Sequence, residues 1–329
     1  MEIVKSPKLS IVVTAYTMER INDIFELLDS IKAQTYPNIE TVFVAERSKE
    51  LFQRVKAYTE EKSISNVKLV FNDGEPGQSP ARNLGVKHTE GDLVAFVDDD
   101  VVLFDDWASE MVNTYQDDST IGATGPAFPL WEDESLKWLP KEFYWIVSCT
   151  AFAGLSEISP VRCAWGMNMS FQKEAFKFCR FSEIFGHIAK ERSKVGPVVD
   201  DAEFSINLRL KTGKQILFNP SVRVKHRVYT YRLGKKFIRG QSYWQGYSKA
   251  LLKKTYRGDA DTRGLLRERT LLRRILFGLG PRTTILLFRH PKRAARIFTL
   301  TTAVLFYVAL GYSACTLPPL AGFTKKYFN

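Results

Sequence analysis

No two cysteines in the 329 residues stand in a Cys-x-x-Cys pair. The four present, Cys149, Cys163, Cys179 and Cys315, are scattered. That excludes a zinc ribbon or a dithiol redox motif and reads as reduced, buried thiols of a cytosolic protein. The first eight residues lead into only a short apolar run with no small-residue cleavage site, so no secretory signal is expected. A Gly-rich turn after that run is also missing. Thr14-Ala-Tyr-Thr-Met18 stands there instead, which excludes a nicotinamide-dependent oxidoreductase. There is no internal repeat and no low-complexity segment. Acidic residues thin out late in the chain. The net charge is +11, and basic residues far outnumber acidic ones over residues 211–296, whereas the first two-thirds is near balance. Such asymmetry calls for an anionic partner.

What is present reads as an α/β protein with length enough for one large domain or two smaller ones. Residues 9–15 form a β-branched run, and residues 18–33 carry Ile21, Ile24, Phe25, Leu28 and Ile31 at helical spacing. Residues 41–45 and 67–71 are further strands around a helix at 51–61. This rhythm predicts a mainly parallel sheet flanked by helices. Ser79-Pro80 predicts the start of a short helix, with Ser as its cap and Pro at its first position. That helix leads to the apolar strand Leu93-Val-Ala-Phe-Val97. Further on, residues 107–115 read as a helix, and residues 121–125, 166–171, 215–218 and 221–225 as strands, the last with His226 at its end. Residues 126–148, rich in aromatics and prolines, show no period, and residues 186–197 read as a polar loop. A helix is expected to open at Asp200-Asp201, run through Phe204, Leu208 and Leu210, and end at Gly213.

Asp98-Asp99-Asp100 follow the 93–97 strand at once. Taken alone, three carboxylates there read first as a solvated turn. Clustered hard oxygens also suit Mg2+ or Mn2+, and the carboxyl edge of an open α/β sheet is where ligands sit. Asp200-Asp201 carries a second pair: two adjacent carboxylates raise each other's pKa, as a general base needs, or simply favour a helix N-terminus. His226, a lone histidine, reads by default as structural.

From Tyr231 the chain becomes basic and aromatic, Lys235, Lys236, Arg239, Lys249, Lys253, Lys254 and Arg257 alternating with Phe237, Tyr243, Trp244 and Tyr247. This predicts a helix lying on anionic lipid, or else a plain solvated face. No nucleic-acid motif accompanies it. Residues 297–324 hold no charge, and a helix over 297–316, ended by Pro318-Pro319, would be long enough to enter or cross a bilayer. A buried amphipathic hairpin is the plain alternative. If the helix spans, the basic residues before it put the N-terminal domain in the cytoplasm.

An ordered series carries a resemblance. It comprises Ser10-Ile-Val-Val-Thr-Ala-Tyr16, Ser79-Pro-Ala-Arg-Asn-Leu-Gly85, Phe96-Val-Asp-Asp-Asp100, Gly166-Met-Asn-Met-Ser-Phe171, Asp200-Asp201 and Val224-Lys-His226. Over about residues 8–228 it resembles the family 2 glycosyltransferases with the GT-A (Rossmann-like) fold. The resemblance implies an inverting sugar transferase using a nucleotide-diphosphate donor and Mn2+ or Mg2+. Asp100 then becomes the metal ligand, joined by His226. Asp98, with Asp99 in the middle position, becomes a donor contact. Asp201 becomes the base, beside Asp200. Tyr16, Arg82 and Asn83 fall near the donor's base and phosphates, and Gly166 and Asn168 on the acceptor side. Asn168 is for that reason not read as a glycan site, although Asn168-Met-Ser170 fits the pattern. Where the family usually shows Asp-Asp-Gly-Ser, this chain has Ala45-Glu46-Arg47-Ser48, leaving Glu46 or Asp73 to meet the base. The Gln-x-x-Arg-Trp motif of processive polysaccharide synthases is missing, which favours single-sugar transfer.

The expected layout is a catalytic domain over residues 1–230, a basic helical region at a membrane surface over 231–296, and a membrane anchor over 297–329. It resembles archaeal transferases that extend dolichyl-phosphate-linked sugars, including the glucuronosyl type, and so implies a lipid-linked acceptor and a nucleotide sugar such as UDP-glucuronate. The competing readings are a polyprenyl-phosphate glycosyltransferase, a surface-polysaccharide transferase and, from another class, a non-catalytic sugar-nucleotide-binding scaffold on the same fold.

Overall fold

The computed structural model describes residues 6–150, 155–182, 199–256 and 270–317. The expected loop over 186–197, Arg257 and Pro318-Pro319 lie outside them. The chain divides into two compact units. The first takes in Met1–Phe128, Leu155–Lys190 and Val199–His226, the second Pro129–Gly154, Glu191–Val198 and Arg227–Asn329.

The first unit is built on β1 (Leu9–Ala15), β2 (Ile39–Glu46), β3 (Val67–Asn72) and β4 (Leu93–Val97), all parallel, in the spatial order β3-β2-β1-β4. Helices α1 (Ile21–Lys32), α2 (Lys49–Glu61) and α3 (Gln78–Lys87) connect them. The sheet continues through β9 (Asn168–Gln172), antiparallel to its neighbours, then β6 (Thr120–Thr124), β10 (Gln215–Phe218) and β8 (Ser159–Val161). Because side chains alternate along a strand, one chain segment feeds two cores. Leu9, Ile11, Val13 and Ala15 join the cluster that also holds Ile24, Leu27 and Leu28 of α1. Val12, between them, joins the opposite cluster with Phe171, Phe181 and Phe204. There α3 comes so close that a Cβ on Gly85 would lie 2.5 Å from Val12 Cγ1.

The sheet order places a switch point between β1 and β4, since the chain leaves β1 towards β2 on one side and returns to β4 on the other. Straight after the carboxylates the short strand β5 (Val101–Leu103) pairs antiparallel with β11 (Val224–Val228), His226 opposite Val101. His226 is therefore inside its strand rather than at its end. β7 (Ala127–Trp131) completes this second sheet. Neither β5 nor β7 shows in the sequence: β5 has only three residues, and β7 carries Pro129 in its middle, which reads against a strand. α4 (Trp107–Asn113) and the single turn α5 (Ala175–Phe178) precede α6 (Asp200–Thr212), which ends at Gly213 with φ +68°. Two expectations are corrected. α3 begins at Gln78 behind Gly77, whose φ of 129° needs a glycine, so Ser79 and Pro80 lie inside its first turn and Ser79 is not the cap. Leu210 is exposed, leaving Phe204 and Leu208 as the buried face of α6.

The second unit contains α7 (Lys235–Thr255), α8 (Gly280–Arg289) and α9 (Pro291–Thr316). Phe143, Ile146, Val147, Ile238, Ile297, Leu300 and Val304 share its core. α7 packs along α9 through a reciprocal glycine contact. A Cβ on Gly246 would strike the carbonyl oxygen of Val308, and one on Gly311 that of Tyr243. Tyr243 is 2% exposed. The inner aromatic side of α7 thus faces a helix, where the sequence reading put lipid. α9, of 26 residues, is long and apolar enough to cross a membrane, and carries Phe298 and Phe306 on an exposed side. Of the four cysteines, all free thiols, only Cys149 is buried.

Phe204 ties α6 to the sheet through ring contacts with Phe171 at 4.7 Å and Phe181 at 4.5 Å. Phe204→Ala should therefore lower unfolding stability by about 3–5 kcal/mol, measured by denaturant titration.

Candidate active site

The carboxyl ends of β1 and β4 carry Tyr16, which is 46% exposed, and the three aspartates. Asp98 is partly exposed while Asp99 and Asp100 are buried. The β5–β11 register brings His226 Nε2 to 3.4 Å from Asp100 Oδ1. One ligand atom each from Asp98, Asp100 and His226 lies within 4.8 Å of the others. Two carboxylate oxygens and an imidazole nitrogen form a donor set that fits Mn2+ or Mg2+, Mn2+ accepting the nitrogen more readily.

Two arginines balance these acids. Arg20, in the 3-10 turn Met18–Arg20, places Nη1 2.7 Å from Asp99 Oδ1 and 3.2 Å from Asp100 Oδ2. Burial pushes the Asp99 carboxyl up to about 7, with the Arg20 charge pulling it down and Asp100 and Asp98 pushing it further up. Arg82, 3% exposed on α3, donates from Nη1 to Asp200 Oδ2 at 2.9 Å and from Nη2 to the carbonyl oxygen of Gly166 at 3.2 Å. The same Nη2 lies 3.4 Å from Asp98 Oδ1. Its guanidinium also stands 5.5 Å from the Phe181 ring centre.

The acidic pair divides its work by burial. Asp200 is 1% exposed and accepts from Arg82 and, at 3.3 Å, from Ser79 Oγ. Asp201 is partly exposed and accepts from the Gly166 N–H at 2.9 Å and the Ala202 N–H at 2.6 Å. Burial and then the Asp200 charge push its carboxyl up to about 6, against Arg82 and the two N–H groups. Gly166 lies against both halves of the site: a Cβ there would meet Arg82 Nη2 at 3.1 Å and Asp201 Oδ2 at 3.4 Å.

Other expected residues fall differently. Glu46 is buried at the end of β2 and accepts from the Gly77 N–H at 3.0 Å, and burial lifts its pKa. It therefore shapes the loop ahead of α3. Asp73 is exposed beyond β3. Asn83 has both ends of its amide on the Phe181 backbone, at 2.8 and 2.9 Å, which makes it a packing residue where a phosphate contact was expected. Asn168 is fully buried, accepting from Trp107 Nε1 and donating to the Val222 carbonyl. It reaches neither an acceptor nor a glycan. The residue that sequence reasoning missed is Arg20, 79 positions from Asp99, with no motif to mark it.

This edge, with clustered aspartates, a histidine and a separate raised carboxylate, lies on a sheet of the GT-A fold. Mannosyltransferase PcManGT from Pyrobaculum calidifontis, in complex with GDP-Man and Mn2+, superposes with a TM-score of 0.59 at 17% identity, over 94% of this chain and 88% of that one. GalNAc-T7 with UDP, GalNAc and Mn2+ superposes with a TM-score of 0.52 at 14% identity, over 80% and 55% of the two chains. Residues 10–179 match Glycosyl transferase family 2, and the chain belongs to that family. It is 32% identical over 257 residues to a glucosyl-dolichyl phosphate glucuronosyltransferase of Haloferax volcanii, over 77% of this chain and 80% of that one. The protein is a glycosyltransferase.

Arg82→Met should cost about 3–5 kcal/mol, because it leaves the Asp200 carboxylate buried without its cation. Arg82→Lys should recover only part of this, since a single ammonium cannot meet Asp200, Asp98 and the Gly166 carbonyl together. Thermal unfolding of the two variants checks both.

Proposed function

We propose that the chain moves a glycosyl group, with inversion, from a nucleotide-diphosphate sugar to a lipid-linked saccharide, with Mn2+ or Mg2+ held by Asp98, Asp100 and His226. The observation that carries this reading is the pairing, at one sheet edge, of a cation-type donor set with a partly exposed carboxylate raised to about 6. A bound divalent cation would neutralise charge developing on the leaving nucleoside diphosphate. Asp201 Oδ takes the proton from the acceptor hydroxyl as that oxygen bonds to the anomeric carbon and the carbon–phosphate-oxygen bond breaks. Asp200 is locked by Arg82 and Ser79, and its electrostatic effect on neighbouring Asp201 raises the proton affinity of that base. Tyr16 offers a ring for the donor's base, and Arg20 holds Asp99 and Asp100 in place.

The name of the Haloferax volcanii relative motivates UDP-glucuronate as donor and glucosyl-dolichyl phosphate as acceptor. A lipid acceptor agrees with α9, whose residues from 297 to its end carry no charge. Lys292, Arg293 and Arg296 open that helix and favour a cytoplasmic catalytic unit.

The direct test supplies UDP- and GDP-sugars with Mn2+ or Mg2+ to the full chain, against polyprenyl phosphate and its monoglucosylated form. Glucuronosyl transfer to the monoglucosylated lipid is expected. Transfer to the bare phosphate would replace this acceptor, and no transfer from any donor would remove the reading. A base ionising near 6 acts only when deprotonated, so turnover should rise with pH up to about 6 and fall about tenfold per unit below it. Asp201→Asn should lose turnover while retaining donor binding. Mn2+ should raise the melting temperature of the parent chain but not that of Asp100→Ala, an effect read without turnover.

A further inference from the structure

Residues 270–289, which hold the wide turn Arg274–Leu279 and α8, carry two apolar sides. One joins the core of the second unit through Leu271, Ile275, Leu279 and Leu286. The other is bare, with Phe277 at 78% exposure, Ile285 at 62% and Phe288 at 86%. A helix that packs on a soluble domain turns polar residues outward, so large rings on the outer side point to a non-aqueous neighbour. Pro281 accounts for the break in the path. It supplies no N–H to the preceding turn, and the widened stretch Arg274–Leu279 ends just before it.

Charge says what that neighbour is. Beyond Glu268 the chain holds no Asp or Glu, and it has ten Lys or Arg residues: Arg269, Arg273, Arg274, Arg282, Arg289, Lys292, Arg293, Arg296, Lys325 and Lys326. Arg273, Arg289, Lys292 and Arg293 are exposed and lie within five residues of Phe277 or Phe288 along the chain. We propose that residues 270–289 form an in-plane docking face for an anionic lipid leaflet, burying Phe277, Ile285 and Phe288 among acyl chains beneath headgroups met by these basic residues. α7, by contrast, has its inner aromatic side against α9, and is not this face. The inference rests on the membrane reading above and names the leaflet chemistry and the residues that enter it.

The test uses the full chain with Phe288→Cys, labelled with an environment-sensitive fluorophore and reconstituted into vesicles of zwitterionic lipid alone or with added anionic lipid. The parent chain, labelled alongside, reports its own four cysteines. In anionic vesicles the label should shift to the blue and be quenched by nitroxide-bearing acyl chains. The docked fraction should fall with salt, and about fivefold for each of Arg289→Gln and Arg293→Gln. Aqueous emission in anionic vesicles overturns the proposal. So does an equal, salt-insensitive shift in both vesicle types, or a blue shift without nitroxide quenching, which would mean that protein covers the face. Sugar transfer by the same vesicles is scored separately. A chain that docks without turnover leaves this proposal standing and removes the functional one, and a chain that turns over undocked does the reverse. Failure to float with vesicles removes the membrane reading under both.

Discussion

The site depends on one buried guanidinium. Arg82 ties the aspartate that ends β4 to the one that opens α6, and takes the Gly166 carbonyl as well. Desolvating Asp200 is tolerable only because a cation with several planar donors is desolvated beside it. Gly166 is the other half of that constraint, since any side chain there would press on the guanidinium. Arg20 repeats the device on the far side of the triplet, joining Asp99 to Asp100. Each arginine spans two carboxylates, so acids that would repel one another can be held close together.

The acidic clusters were legible in the sequence because each is contiguous and each sits at an element end that periodicity already marks. Strand β4 and helix α6 were equally plain, and the four parallel strands followed from their β-branched runs. Arg20 could not be read, because nothing local distinguishes an arginine in a short turn from one in solvent. Its importance is created by a sheet that brings residues 79 apart together. The position of His226 inside β11 was hidden for a related reason: its partner strand has three residues.

Asn83 and Asn168 failed in a different way. An amide in an apolar stretch reads equally as a ligand contact or as a buried peg, and only burial separates the two. Both are pegs whose donors and acceptors are spent on backbone or indole groups. The basic stretch after Tyr231 misled through composition. Lysines and aromatics at helical spacing describe α7 accurately, but they do not say whether the rings face lipid or another helix.

The crossing of α7 with α9 has a practical side. Two glycines let the backbones touch, so neither helix presents side chains to fill the space if its partner is removed. Cutting the chain before α9 to obtain a water-soluble enzyme would bare Tyr243 and a flat strip of peptide groups on α7. Such a fragment would tend to pair with itself or precipitate. A soluble version is better sought by retaining both helices and recoding the outer side of α9, since ending before α7 would also bare Phe143, Ile146 and Val147.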